Sequence, residues 1–273
     1  MNEREYNEAE GIRRSDLWKM EDSPEKFKYF LEHPVEQTPA MAFGSACHKF
    51  ILEPKSFLDE YAIAPEGINR RTKEGKEQWE TFCNANEGKT IVNAEDMQIA
   101  AEMRTTLDHC PLANKLIYGK GETEMPFFWT DKDTGEKCKI KVDRLVKYNR
   151  SWYVVDYKTT QCAETFRFNS DIMKMGYFMQ AAMYTEGVMK AKKLRKRPGF
   201  LFVAQEKKAP YSENVIEVSE EVMNAGIAKF HQLLDKYHQC KVLDQWPGYM
   251  TGNVPNDSFL PTWMQQEMED EFE

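Results

Sequence analysis

From Glu122 onward the chain alternates polar and apolar positions in short runs, the two-residue period of a β-strand. Glu124 to Thr130, Lys137 to Val146 and Ser151 to Lys158 are separated by turn signals at Asp133-Thr134-Gly135 and Asn149-Arg150, which predicts an antiparallel meander. A helix over about Ser170 to Lys190 follows, then strands near Gly199 to Gln205 and Asn214 to Val218, and a last helix from about Glu220 to Cys240. Before the meander the pattern is helical. Ser23 ahead of Pro24 opens a short helix through about Glu32, a second spans roughly Ala40 to Glu53 and stops before Pro54, and Asn93 caps a third of about Ala94 to His109 that ends at Pro111. Pro65 to Lys76 is polar and basic and is expected to be a loop leading into a helix around Trp79. These elements predict an α/β protein with one domain over residues 1–246, helical to about residue 115 with its core at about 116–246, and an irregular acidic tail over 247–273.

Composition narrows the class. Hydrophobic residues make up 41% and charged residues 30% of 273, the balance of a soluble globular protein with enough apolar material for a core. No apolar run approaches the roughly 20 residues that span a bilayer, so no membrane partner is expected. The first residues are acidic and polar with no apolar signal core, which makes the cytoplasm the expected compartment. Cys47, Cys83, Cys110, Cys138, Cys162 and Cys240 lie far apart with no C-x-x-C pair, as expected of plain thiols rather than zinc or iron–sulfur ligands.

The net charge of −8 runs against a nucleic-acid partner, whose phosphates must be neutralised. Its distribution is less adverse. Arg70, Arg71, Lys73 and Lys76 form one basic cluster and Lys190 to Arg197 another, while Glu267 to Glu273 is strongly acidic.

Strand alternation places candidate chemistry. In KCKIKVDR, Lys137, Lys139, Lys141 and Asp143 share one face and Cys138, Ile140 and Val142 the other. In SWYVVDYKTT, Asp156 and Lys158 share a face with Val154, opposite Val155 and Tyr157. Pairing through the Asn149-Arg150 turn would bring Asp143 and Asp156 together at the strand ends. Two close carboxylates repel unless a cation lies between them, and oxygen ligands suit Mg²⁺ or Mn²⁺. A lysine two residues beyond the second carboxylate can then hold or help activate the attacking water and steady the charge on a phosphate. Tyr177, Gln180 and Tyr184, at helical spacing, share the face of the next helix that would point back at this site.

The runs EMPFFW from Glu124, TGEKCKIKVDR, VVDYKTT and QAAMY resemble the core of the RecE exonucleases, also called exonuclease VIII. These are a RecB-like branch of the PD-(D/E)XK nucleases. GIRRSDLWKMEDSPEKF, TPAMAFGSACHKFILEP and RRTKEGK are similar to the same family's N-terminal half, so the resemblance spans roughly residues 10 to 240. It implies a restriction-endonuclease-like core, a central mixed sheet flanked by helices. The metal ligands it implies are His48, Glu124, Asp143, Asp156 and the carbonyl of Tyr157, with Glu122 the competitor for Glu124. The resemblance makes Lys158 the motif lysine and Gln180 and Tyr184 the supporting helix residues; Arg70, Arg71, Lys73 and Tyr177 are the candidate DNA contacts. His33, His109, His231 and His238 match no motif and are expected to be structural or superficial. The activity implied is 5′-to-3′ digestion of linear double-stranded DNA with Mg²⁺. A 3′ single strand would be left for a RecT-type annealing protein, in phage or prophage recombination, by a tetrameric ring. A structure-specific or restriction-like endonuclease on the same core and a non-catalytic DNA-binding module are the alternatives; the intact D…D-x-K set argues against the second.

Overall fold

The computed structural model describes residues 3–33, 38–250, 252 and 256–258. The helical first part comprises α1 (Glu3–Glu8), α2 (Arg14–Trp18), α3 (Pro24–Glu32), α4 (Pro39–Leu52), α5 (Phe57–Glu60), α6 (Lys73–Ala85), α7 (Ala94–His109) and α8 (Pro111–Tyr118). Two three-residue strands, β1 (Tyr61–Ile63) and β2 (Thr90–Val92), pair in parallel within it. The second part carries β3 (Gly121–Thr130), β4 (Lys137–Tyr148), β5 (Ser151–Thr160), α9 (Thr165–Lys174), α10 (Tyr177–Ala191), β6 (Gly199–Glu206), β7 (Glu213–Glu217) and α11 (Glu220–Leu243).

Local chemistry accounts for the helix starts. Side chains of Ser23, Thr38, Thr72 and Ser219 accept from the backbone N–H three residues on, and Pro24 and Pro39 occupy first-turn positions that lack a partner anyway. The Thr72 cap starts α6 at Lys73, earlier than the loop expected through Lys76. Pro111 is not only a stop: it opens α8, which the sequence pattern missed. The single helix expected over Ser170 to Lys190 is two. They part at Gly176, whose φ of +65° is left-handed and where a Cβ would lie 2.5 Å from the Trp18 ring. β1 and β2 were also missed, because three residues are too few to show a period. Of the expected tail, residues 247–250 carry no helix or strand, and most of the rest lies outside the described residues.

The meander is as expected, and the sheet is mixed. Its order is β3-β4-β5-β6-β7, antiparallel throughout except for the parallel β5–β6 pair, whose crossover is α9 and α10. Both faces are covered, so successive residues alternate between two cores. Val154, Phe200, Phe202 and Ala204 pack with α10 and α11, including Met179, Met183 and Phe230. Val155, Tyr157, Leu201 and Val203 pack with α4 and α7, including Cys47, Ile51, Met103 and Leu107. Each fully buried Leu, Ile or Phe stabilises the fold by about 1.5–3 kcal/mol, so this sheet between two helical layers is a stiff platform.

Gly226 of α11 sits against the Phe178 carbonyl of α10, 2.2 Å from where a Cβ would be. Alanine gains about 1 kcal/mol in helix propensity, but a clash with backbone cannot be relieved by a rotamer change and overpacking costs about 1–3 kcal/mol. Gly226→Ala is therefore expected to lower the thermal midpoint by a few degrees, measured by circular dichroism. A raised midpoint would show that α10 and α11 can separate at no cost.

Candidate active site

β4 and β5 hydrogen-bond to each other only from Arg144–Val155 to Tyr148–Ser151. Beyond that ladder β4 pairs on one side with β3, and residues 156–160 of β5 pair with β6, so the two strands open into a fork. Asp143 and Asp156 are the next residues in register, at the crotch of the fork. They lie at the end of the shared ladder and not at the strand ends, as the sequence had suggested. The carboxylate of Asp143 takes the place of a strand partner: its Oδ2 accepts from the Tyr157 N–H at 2.8 Å. On the open edge of β4, Ile12 fills the gap, its N–H donating to the Lys137 carbonyl and its carbonyl accepting from the Lys139 N–H.

Opposite Asp143 on β3 stands Glu124 with φ of +51°, uncommon for a residue with a side chain and costing about 1–3 kcal/mol. This twist sends the carboxylate of Glu124 to Lys141 (2.7 Å) and toward His48 Nδ1 (3.6 Å). Glu122, two residues away, pairs instead with Lys192 at 2.6 Å, so geometry separates two glutamates that sequence could not. His48 comes from α4 in the opposite layer, its Nε2 2.8 Å from Asp143 Oδ2. Asp156, 1% exposed, is gripped by Lys158 Nζ at 2.6 Å and by a hydrogen bond from Gln180 of α10.

The electrostatics follow from burial and proximity. Burial opposes a charge on His48, but the charge and hydrogen bond of Asp143, with Glu124 beyond, outweigh it and lift the imidazole to about 9. Burial likewise opposes ionised Asp143, yet His48 and Lys158 hold it below the usual carboxylate range. Asp156 is pushed up to about 6 by burial and by the charge of Asp143, against the pull of Lys158. Burial and Asp143 raise Glu124 as well. Lys158, although buried, is raised by Asp156 and Asp143, and at neutral pH it is a cation.

His48, Glu124, Asp143, Tyr157, Lys158, Tyr177, Gln180 and Tyr184 line one cavity of about 1160 Å³, with Asp156 beneath them. The remaining expected residues are elsewhere. Arg70, Arg71 and Lys73 are exposed at the start of α6 and line none of it; Arg70 stacks 3.3 Å over Trp79 and Lys73 is 4.0 Å from Glu77. In the second basic run Lys190 pairs with Glu186 (2.8 Å), Lys192 with Glu122 and Arg197 with Glu186 (3.5 Å). That run is thus committed in part to carboxylates of its own chain. His231 belongs to this network, 3.3 Å from Glu186, and His238 pairs with Glu136 at 2.9 Å. The six cysteines are free thiols.

Sequence reasoning missed the cationic wall of the cavity, formed by Arg13, Arg14, Lys49, Lys139 and Lys141. The alternation of Lys139 and Lys141 with Asp143 was a signal for two of these. Arg14 lies in the GIRRSDLWKMEDSPEKF run that carries the resemblance, but neither period nor spacing gave it a role, and it reaches the site through tertiary folding.

A divalent cation fits this donor set. Ligand atoms of His48, Glu124 and Asp143 lie within 4.8 Å of one another. Glu124 Oε1 is buried without a hydrogen-bond donor, an arrangement that is costly unless a cation completes it. Mixed imidazole and carboxylate donors, with no thiolate among them, suit a divalent cation that takes oxygen and nitrogen ligands.

A protein from Eubacterium rectale designated "Putative exonuclease" has a crystal structure that superposes with a TM-score of 0.61, at 12% identity, covering 97% of each chain. This likeness is one of fold. A second structure, of a protein named SSO0001, is also 12% identical and covers 91% of this chain and 89% of its own, but its TM-score of 0.38 carries no argument. No curated protein matches the chain in sequence. The family match extends from residue 14 to residue 254 and takes in the fork, His48 and the Gln180–Tyr184 helix; the chain belongs to the family described as the PDDEXK-like domain of unknown function (DUF3799).

Proposed function

We propose that this chain is a divalent-metal-dependent nuclease that hydrolyses phosphodiester bonds of DNA. The observation that carries the proposal is the meeting of His48, Glu124 and Asp143 at the fork, beside the buried Asp156–Lys158 pair. His48, Glu124, Asp143, Asp156 and the Tyr157 carbonyl would hold the ion. When bound, it supplies Lewis acidity toward a phosphoryl oxygen and lowers the pKa of water. Lys158, as a cation, stabilises charge developing on the phosphate and is not a proton acceptor in this state. Gln180 fixes the orientation of Asp156, and Tyr184 closes the same wall. Since the site draws α4, the sheet and α10 together, residues 1–246 are proposed to act as one nuclease domain.

The finer proposal is exonucleolytic: 5′-to-3′ digestion of linear duplex with Mg²⁺, leaving a 3′ strand for a RecT-type annealing partner in phage recombination. It rests on the resemblance to RecE. A ring tetramer with Arg70, Arg71 and Lys73 toward the DNA would offset the net charge of −8, which leaves a monomer poorly suited to a polyanion.

Incubation of linear duplex labelled at either end, and of covalently closed duplex, with Mg²⁺ or EDTA tests this. Linear DNA is expected to shorten from its 5′ ends only with the metal. Cutting of the closed circle would make the enzyme an endonuclease, cleavage in EDTA would remove the metal, and a monomer by light scattering would remove the ring. In the same assay Asp156→Asn is expected to abolish cleavage with the fold intact, and Lys158→Ala to lower turnover by about 10²-fold or more. An Asp156→Asn enzyme that keeps a tenth of the activity would exclude Asp156 as a ligand.

Ion binding must also displace a proton from His48, whose metal-free pKa is about 9, because only neutral imidazole is a ligand. Below that value each rise in pH weakens the competing proton, so Mn²⁺ affinity is expected to climb from pH 6 to about 9. Calorimetry in buffers of different ionisation enthalpy should show about one proton released per ion near pH 7.5, and none in His48→Asn. Equal release from both proteins would show that His48 is not a ligand.

A further inference from the structure

The segment that fills the open edge of β4 also delivers two arginines to the cavity. Lys139 Nζ, on a 3% exposed residue, holds this segment by donating to the carbonyls of Tyr6 (2.9 Å), Asn7 (3.1 Å) and Ala9. The arginines differ in their partners. Arg13 donates to Asp16 Oδ2 at 2.8 Å and to Asn7 Oδ1 at 3.0 Å. Arg14 takes part in no ion pair among the described residues. One of its terminal nitrogens donates to the Met175 carbonyl, at the break between α9 and α10, and its Nε is buried with no partner. The guanidinium stands 5.7 Å from the Trp18 ring and 5.5 Å from the Tyr177 ring. Lys158 lies 4.9 Å from the same Tyr177 ring, so this tyrosine is flanked by two cations, of which only Lys158 has a carboxylate in contact.

A half-buried guanidinium whose Nε is shut off from water and which touches no counter-ion burdens the folded state. Burial works against its charge. The arrangement is explained if the counter-ion arrives with the ligand. Rings on two sides and a backbone carbonyl at one end preorganise the planar fork, whose remaining N–H groups match two oxygens of a phosphate. We propose that Arg14 binds a backbone phosphate of the DNA strand, adjacent to the phosphate that is cut, and so forms a phosphate subsite on the α10 side of the cavity. This rests on the nuclease proposed above. Gly176 belongs to the device: its left-handed turn, closed against Trp18, brings both the Met175 carbonyl and Tyr177 to Arg14.

Arg14→Met, which keeps an unbranched stem and removes the charge, separates this role from a structural one. Binding of a short fluorescein-labelled duplex in EDTA is followed as a function of salt, alongside the thermal midpoint. The slope of log K against log salt is expected to shrink by about 0.9, with affinity about tenfold weaker near 0.1 M salt, as for one lost phosphate contact. The midpoint is expected to stay level or rise. An unchanged slope with a fallen midpoint would overturn the proposal, making Arg14 a spacer between two rings. The wild-type protein gives a measurement that needs no folded variant at position 14 other than for assignment. Its Arg14 Nε–H nuclear magnetic resonance signal, identified by its loss in Arg14→Lys, is expected to shift when the duplex is added in EDTA; no shift overturns the proposal. If the wild type neither binds nor cleaves DNA, the nuclease reading fails and this one with it. If it cleaves while Arg14→Met keeps the wild-type slope, only the Arg14 subsite fails.

Discussion

Where β4 and β5 stop pairing, at Arg144 and Val155, two backbone edges are left that must be satisfied inside the protein. One is met by a side chain, the Asp143 carboxylate on the Tyr157 N–H, and the other by the chain near Ile12. The first solution places a buried charge at the crotch of the fork. The second pins the N-terminal segment across its mouth. Helix α4 in one layer and α10 in the other then close on the opening, His48 from one side and Gln180 from the other. Each wall of the cavity is thus a response to the same gap in the sheet.

The buried charge has to be balanced. Asp143, Asp156 and Glu124 face His48, Lys141 and Lys158, so the centre is close to neutral in the protonated, ion-free state. A divalent cation can join such a set only as protons leave. The raised His48 and the lowered Asp143 are two sides of one pairing. Under the proposed function, this contact is the one that a bound ion would replace.

With a net charge of −8, the chain commits Lys190, Lys192 and Arg197 to its own carboxylates, and the Lys190–Asp131 and Lys192–Glu122 pairs tie the end of α10 to β3 and the turn after it. The cations that line the cavity are Lys139 and Lys141 of β4, Lys158 of β5, Lys49 of α4, and Arg13 and Arg14.

The sequence by itself determined the strand meander, the mixed α/β architecture and the faces of Asp143, Asp156 and Lys158, because a two-residue period and short turns are local properties that need no partner. It also marked the Tyr177, Gln180 and Tyr184 stripe, since helical spacing is equally local. It did not determine the break at Gly176, the start of α8 at Pro111 or the choice of Glu124 over Glu122. The first depends on the Trp18 ring, and the last on a left-handed residue in β3 with Lys192 waiting for the other glutamate. The meeting of His48 with Asp143, 95 positions apart in the chain numbering, and of Arg14 with Tyr177 was likewise decided only by the packed sheet and its two helical layers. Such contacts are set by burial and charge across the whole fold, and no window of neighbouring residues contains them.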